Sequence, residues 1–224
     1  MPSISALPRM ARRRLLQLTA PWAAALALGA AGPWALAATE TPDAWVGRLS
    51  REVLDDIKSD KAMQAGDMNR IMALVDGKIM PNVNFRRMTA SAVGPGWRQA
   101  SAEQRQQLEK EFKTLLVRTY AGALSQVKEQ RIEVRPLPAS ALQDNELTVR
   151  TLIHGGGEPV QLDYRLEKTP GQGAGWKIYD LNVLGVWLVA TYRPQFSQQI
   201  NTHGVDGLIQ SLSQRNQSNA TARP

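Results

Sequence analysis

The chain has 224 residues, with 27 basic and 20 acidic side chains, a formal net charge of +7 and no cysteine. The missing thiols exclude disulfides and thiolate metal sites. With only two histidines present, a catalytic zinc centre is also disfavoured.

Residues 1–37 read as a secretory signal peptide. Arg12, Arg13 and Arg14 precede an apolar run from Leu15 to Leu36, and Ala35-Leu36-Ala37 supplies the small residues of a cleavage site. Pro21 and Pro33 would interrupt a spanning helix, which favours cleavage after Ala37 over an uncleaved anchor. The triple arginine fits an ordinary secretory leader and a twin-arginine leader alike. The segment holds four arginines and no acid, so its removal takes 27 basic groups to 23 and the net charge to +3. The basic balance belongs largely to the leader, and the sequence gives no support for nucleic-acid binding. What remains is long enough for one domain with a sizeable core, over residues 38–213.

That domain opens with helices. Thr41 or Asp43 starts the first, with Trp45, Leu49, Val53 and Ile57 at four-residue spacing. A second runs from about Met68 to Ile79, ended by Pro81. Phe85, Met88 and Val93 form a short third, closed by Gly94-Pro95-Gly96, after which Trp97 packs inward. Ser101 to Gln104 is a capping box. It opens the longest helix, to about Gln126, with Leu108, Phe112, Leu115, Leu116, Thr119, Tyr120, Ala123 and Leu124 on its apolar face. The period then drops to two. Four strands follow, around Ile132 and Val134; Leu147 to Ile153; Val160 to Leu166; and Trp176 to Val183. Their connections are short and rich in Gly, Pro, Asn and Asp, which predicts an antiparallel meander.

The stretch from Gly175 to His203 organises the rest. Trp176 and Ile178 alternate as in a strand. A phase slip follows, and Tyr179, Leu181 and Val183 take up the alternation. After Gly185 the spacing becomes helical, through Val186, Val189, Tyr192, Phe196 and Ile200. Trp187 and Leu188 fall off that stripe, so the helix start is apolar nearly all round and must be covered by core or by an apolar ligand. The run is too short to span a bilayer, which needs about 18–20 apolar residues. Pro194 is expected to kink this helix or restart it. Gly204 is a C-cap, and Val205, Leu208, Ile209 and Leu212 make a last short helix. Residues 214–224 are polar and are expected to form a disordered tail.

No catalytic constellation emerges. His154-Gly-Gly-Gly157 matches one esterase oxyanion loop, but no Gly-x-Ser-x-Gly elbow accompanies it and it joins two strands. Gly171 to Gly175 also joins strands and opens no helix, as a phosphate loop would. Asp163 falls on the polar face of its strand. Asp180, after Ile178 and Tyr179, has two readings: a hydrogen-bonded structural carboxylate, or the base of a cone-fold enzyme acting on a small hydrophobic substrate. Arg118 and Arg193 end apolar stretches, where they could meet a phosphate or serve as snorkelling or ion-paired groups.

Several blocks together resemble a known family. They are Pro81 to Phe85, Gly96-Trp97-Arg98, Glu103-Gln104-Arg105 leading to Phe112, Leu115 to Tyr120, Gly175 to Asp180, Gly185-Val186, Tyr192 to Phe196 and Gly204 to Ile209. In order and spacing they are similar to the periplasmic phospholipid-binding proteins of the Mla pathway, the MlaC or toluene-tolerance type, over roughly residues 45–212. Two positions depart from it: Asn84, where the family usually has Asp, and Pro194, where it has a small polar residue. The resemblance implies a non-enzymatic carrier that needs no cofactor and takes phospholipid as cargo. Its implied partners are an outer-membrane lipoprotein complex and an inner-membrane ABC transporter bearing an MCE-domain protein.

The fold class expected from these readings is α+β. A four-stranded antiparallel meander is packed on one face by several helices, as a cone around an apolar cavity. The cavity-lining candidates are Leu116, Tyr120, Val149, Leu162, Tyr164, Ile178, Leu181, Val183, Val186, Val189 and Tyr192, with Arg118 and Arg193 near a headgroup.

Overall fold

The computed structural model describes residues 40–221; the expected signal peptide lies outside them. Helix α1 runs over Pro42–Ser59, with Pro42 at its first position and Trp45, Val46, Leu49, Leu54 and Ile57 buried. The short α2 (Lys61–Gln64) and α3 (Met68–Leu74) are N-capped by the carboxylates of Asp60 and Asp67. The chain then widens into a π turn over Val75–Ile79 and tightens into a 3₁₀ turn over Met80–Asn82. Helix α4 spans Phe85–Val93, α5 spans Gly96–Gln99, and α6 spans Ala102–Leu124 behind the reciprocal capping box of Ser101 and Gln104. Helix α6 is apolar on two sides. Leu108, Phe112 and Leu115 face one cluster, while Val117 and Ala121 face another. Thr119 and Ala123, expected on the apolar face, are exposed.

The sheet comprises β1 (Arg131–Val134), β2 (Glu146–Val149), β3 (Thr151–His154), β4 (Val160–Lys168), β5 (Trp176–Val183) and β6 (Val186–Trp187). All pairings between these strands are antiparallel. The four expected strands become six for two reasons. Leu147 to Ile153 is one path in register, since Val149 faces Tyr164 and Leu152 faces Gln161, but it is interrupted at Arg150. There the Asp163 carboxylate accepts from the Thr151 N–H at 3.1 Å, and the Thr151 hydroxyl donates to the Leu162 carbonyl. The other addition is β6. Residues Val186 and Trp187, expected in the helix, turn back on β5 through Leu184 (φ 54°) and Gly185 (φ 86°). Both central residues of that turn have positive φ, the geometry that suits a tight hairpin.

The phase slip in β5 is a β-bulge. Leu166 faces Ile178 and Arg165 faces Asp180, so Tyr179 is the extra residue. Before it Trp176 and Ile178 point to the helices. Beyond it the helix side is taken by Leu181 and Val183, which pair with Tyr164 and Leu162.

Helix α7 begins at Leu188 and extends to Thr221. Helical dihedrals continue through Pro194, contrary to the expected kink or restart; the break falls at Gly204 (φ 70°, ψ −175°). The expected tail from residue 214 is helical as far as Thr221. It is held because Asn216 is buried and donates to the carbonyl (3.0 Å) and carboxylate (2.7 Å) of Glu111 on α6. Among the described residues no helix is long and apolar enough to cross a membrane.

Three apolar clusters fill the space between helices and sheet. Phe85, Phe112, Tyr192 and Phe196 centre one between α4, α6 and α7, with ring centroids 5.1–5.7 Å apart. A second joins Trp45, Val46 and Leu49 of α1 to Leu147, Val149, Tyr164, Leu166, Trp176 and Ile178 of the sheet. The third gathers Leu54, Ile57, Met63, Ile71, Val117 and Ala121 among α1, α2, α3 and α6.

Candidate functional site

Burial along the helix-facing side of β4 and β5 is graded. Under α1 the pair Leu166 and Ile178 is closed off, at 0% and 3% exposure. One pair along, Tyr164 is buried but Leu181 is half-buried. The next pair, Leu162 and Val183, is half-buried on both sides, and Val186 beyond it is 52% exposed. Apolar side chains aimed at the interior therefore keep open surface at the hairpin end. Protein interiors are normally close-packed; a graded opening of this kind fits the wall of an apolar cleft.

The helices contribute the same kind of surface. Leu116 of α6 and Val189 of α7 are half-buried against the aromatic cluster. Tyr120 is half-buried near Tyr192, and its burial pushes the phenol pKa up, with Tyr192 adding to the shift. Three residues that were not among the lining candidates join two clusters each while staying half-buried: Val53, which lies on the expected stripe of the first helix, Met80 and Val83. Val83 was visible only as part of the Pro81–Phe85 block. Met80 fell between the expected helix end at Ile79 and Pro81, because the π turn before it and the 3₁₀ turn that it opens have no sequence signature of their own. The segment is fastened to the sheet by the Asn84 N–H, which donates to the Ile178 carbonyl at 2.8 Å.

The eleven lining candidates thus divide. Leu116, Tyr120, Leu162, Leu181, Val183 and Val189 are half-buried. Val149, Tyr164, Ile178 and Tyr192 are closed into the clusters. The Tyr164 hydroxyl meets Ser50 at 2.9 Å, and burial pushes its pKa up to about 12. Val186 lies on the exposed hairpin, since it belongs to β6 and not to the helix stripe.

The polar candidates also separate. Arg118 donates to the Asn216 carbonyl of α7, which ties the two helices together. Arg193 is exposed on α7. Asp180 is 1% exposed; one oxygen accepts from the Leu181 and Val189 N–H groups at 2.9 and 3.1 Å, and the other from Arg165 at 3.1 Å. It caps the start of α7 from the neighbouring strand. Burial pushes its carboxyl pKa up despite these bonds. His154 meets Glu133 at 2.8 Å beside a glycine-rich loop joining β3 and β4, the hairpin expected from the sequence. Among the described residues no cluster of three or more acids and histidines could hold a metal ion.

Asn84 shows what the departure from Asp does. Its carbonyl caps α4 by accepting from the Arg87 N–H at 3.0 Å, and its amide donates to Glu167 at 2.5 Å. An ionised aspartate would keep the cap but would set two carboxylates face to face.

Comparison with known proteins places this geometry. The chain is 26% identical over 180 residues to the intermembrane phospholipid transport system binding protein MlaC of Haemophilus influenzae, covering 79% of this chain and 83% of that protein. It is 28% identical over 183 residues to the toluene tolerance protein ttg2D of Pseudomonas putida, covering 81% and 83%. Among solved structures, a phospholipid-binding protein from Ralstonia solanacearum, in complex with a phospholipid, superposes with a TM-score of 0.76 at 44% identity, covering 80% of this chain and 98% of that one. The family profile described as "MlaC protein" matches residues 47–214, and the chain belongs to that family.

Proposed function

We propose that this protein is a soluble periplasmic phospholipid carrier. It takes lipid between an outer-membrane lipoprotein complex and an inner-membrane ABC transporter with an MCE-domain protein, and so maintains outer-membrane lipid asymmetry. The observation that carries this reading is the likeness, at 44% identity over nearly the whole of the solved chain, to a protein with phospholipid bound. The half-buried residues Leu116, Tyr120, Leu162, Leu181, Val183 and Val189 would line the acyl chains, Val186 the rim, and Arg193 would lie near the headgroup. Val149, Tyr164, Ile178 and Tyr192 would form the wall behind them.

The energetics suit exchange. Two acyl chains carry about 30 methylenes, each contributing about 0.8 kcal/mol on burial. The gross term of about 24 kcal/mol exceeds the practical ceiling of roughly 18–21 kcal/mol for non-covalent affinity, but a bilayer buries the same chains as well. A carrier competing with membranes needs docking surfaces, not catalytic groups. The buried, fully engaged Asp180 favours a structural role over the alternative of a base in a small-molecule enzyme.

Native mass spectrometry of the mature protein, purified from a periplasmic extract without detergent, tests the proposal. Adducts of phospholipid mass, confirmed by organic extraction, are expected. A bare mass that stays bare after incubation with liposomes would overturn it.

A further inference from the structure

The face of the sheet turned away from the helices holds a cavity of about 460 Å³, lined by Arg135, Arg150, Asp163, Arg165, Asn182 and Trp187 among others. These residues come from five different chain segments. Arg135 follows β1 and donates its N–H to the Arg150 carbonyl at 3.0 Å, which sets the two arginines side by side. In the neighbouring strands Asp163 faces Asn182, and Asn182 faces Trp187. The order across the sheet therefore runs from guanidinium groups, over a carboxylate and an amide, to an indole.

Each part of this row is prepared for a ligand. Arg135 and Arg150 are exposed and enter no hydrogen bond or ion pair through their side chains among the described residues. Arg165 is already engaged, paired with Asp180 at 3.1 Å and stacked on the Trp187 ring at 3.9 Å, and so it fixes one wall. Asp163 is 3% exposed and is satisfied by the Thr151 N–H and by Gln161 at 2.6 Å. Asn182 is 5% exposed, and its Oδ1 has no hydrogen-bond partner. A buried unpaired acceptor costs free energy unless something donates to it.

We propose that this cavity is a second binding site, separate from the acyl-chain cleft, for a small phosphate ester that also carries a hydroxyl or amine. The phosphate sits between Arg135 and Arg150, where guanidinium forks bind it well. The hydroxyl or amine donates to Asn182 Oδ1, and the carbon skeleton lies against Trp187. A glycerophosphate or phosphoethanolamine unit has this chemistry, either as a free solute or as the headgroup of a membrane lipid.

The test follows the indole N–H resonance of Trp187, assigned with Trp187→Phe, during titration of the full mature protein. The probes are glycerol 1-phosphate, phosphoethanolamine, sulfate, and vesicles containing phosphatidylethanolamine. Each is repeated on the double variant Arg135→Gln/Arg150→Gln, whose exposed positions leave the fold intact. A saturable shift with the free esters, weakened at least tenfold in the double variant, supports a soluble ligand. A shift with vesicles alone, lost in the double variant, supports a lipid headgroup. No response to any probe, or an equal response in the double variant, overturns the site. Sulfate binding as tightly as the esters overturns the donor role given to Asn182. Co-purified lipid in the acyl-chain cleft is read separately by mass, so failure here leaves the carrier proposal standing.

Discussion

Arg87 gathers more partners than any other side chain on the edge where α4 meets the sheet. Its guanidinium reaches Glu167 at 2.5 Å and Glu146 at 2.6 Å, and lies 3.7 Å over the Tyr179 ring. Glu146 and Glu167 face each other in register, so without the arginine two carboxylates would confront one another. Arg87→Gln is expected to destabilise the fold by roughly 1–3 kcal/mol in urea unfolding at pH 7. Partial exposure argues for the lower half of that range. The pH profile supplies a second reading. Hydrogen bonds from Arg87 and Tyr179 hold the Glu146 carboxyl below its ordinary 4.5. A depressed acid contributes stability that is present above the unfolded value and lost as pH falls through the folded one. The native protein should therefore lose stability below about pH 4.5 more steeply than Arg87→Gln, as unfolding midpoints measured from pH 7 to pH 3 will show.

Among the elements, α7 was the least legible in the sequence, and the reasons are specific. Its first turn was placed two residues early, because Val186 fits a helical stripe as well as it fits a hairpin. Pro194 looked like a break, yet the proline is exposed and the dihedrals continue through it. Gly204 was read correctly as the end of a helical run, since a positive φ is what glycine is placed for. At φ 70° and ψ −175° an alanine is strained, and Gly204→Ala should cost about 1–3 kcal/mol by urea unfolding. The polar composition beyond residue 213 concealed a docked helix, because the buried Asn216 donates its side-chain amide to Glu111 and accepts from Arg118 at its backbone carbonyl. Deleting residues 214–224 should therefore lower stability by about 1–3 kcal/mol, where loss of a disordered tail would leave the unfolding midpoint unchanged. By contrast, the capping box of α6 and the period-two strands were plain from residue types, because local hydrogen bonding and side-chain alternation decide them.

For the molecule as a whole, the core and the proposed cleft are written in the same alphabet. Val149 and Leu162 are both apolar strand residues, and spacing alone made them equivalent sites for filling the interior. Their surroundings separate them: Val149 is fully closed into the α1 cluster, while Leu162 is half-buried. Leu162→Trp should keep the melting temperature nearly unchanged and remove most co-purified phospholipid in native mass spectrometry. Val149→Trp should overpack the core and cost about 1–3 kcal/mol or more. The β-bulge at Tyr179 has a consequence of another kind. Side chains in a strand alternate, so the count of residues between Ile178 and Val183 decides which of them meet the interior. Remove Tyr179 and the ladder becomes regular: Asp180 still faces Arg165, and Leu181 and Val183 stay on the apolar side. The strand can therefore lose one codon at Tyr179 without turning its apolar side over, whereas a loss between Asp180 and Val183 would turn Asp180 inward or Val183 outward. Among homologues, a one-residue change in the length of this strand should fall at the position of Tyr179.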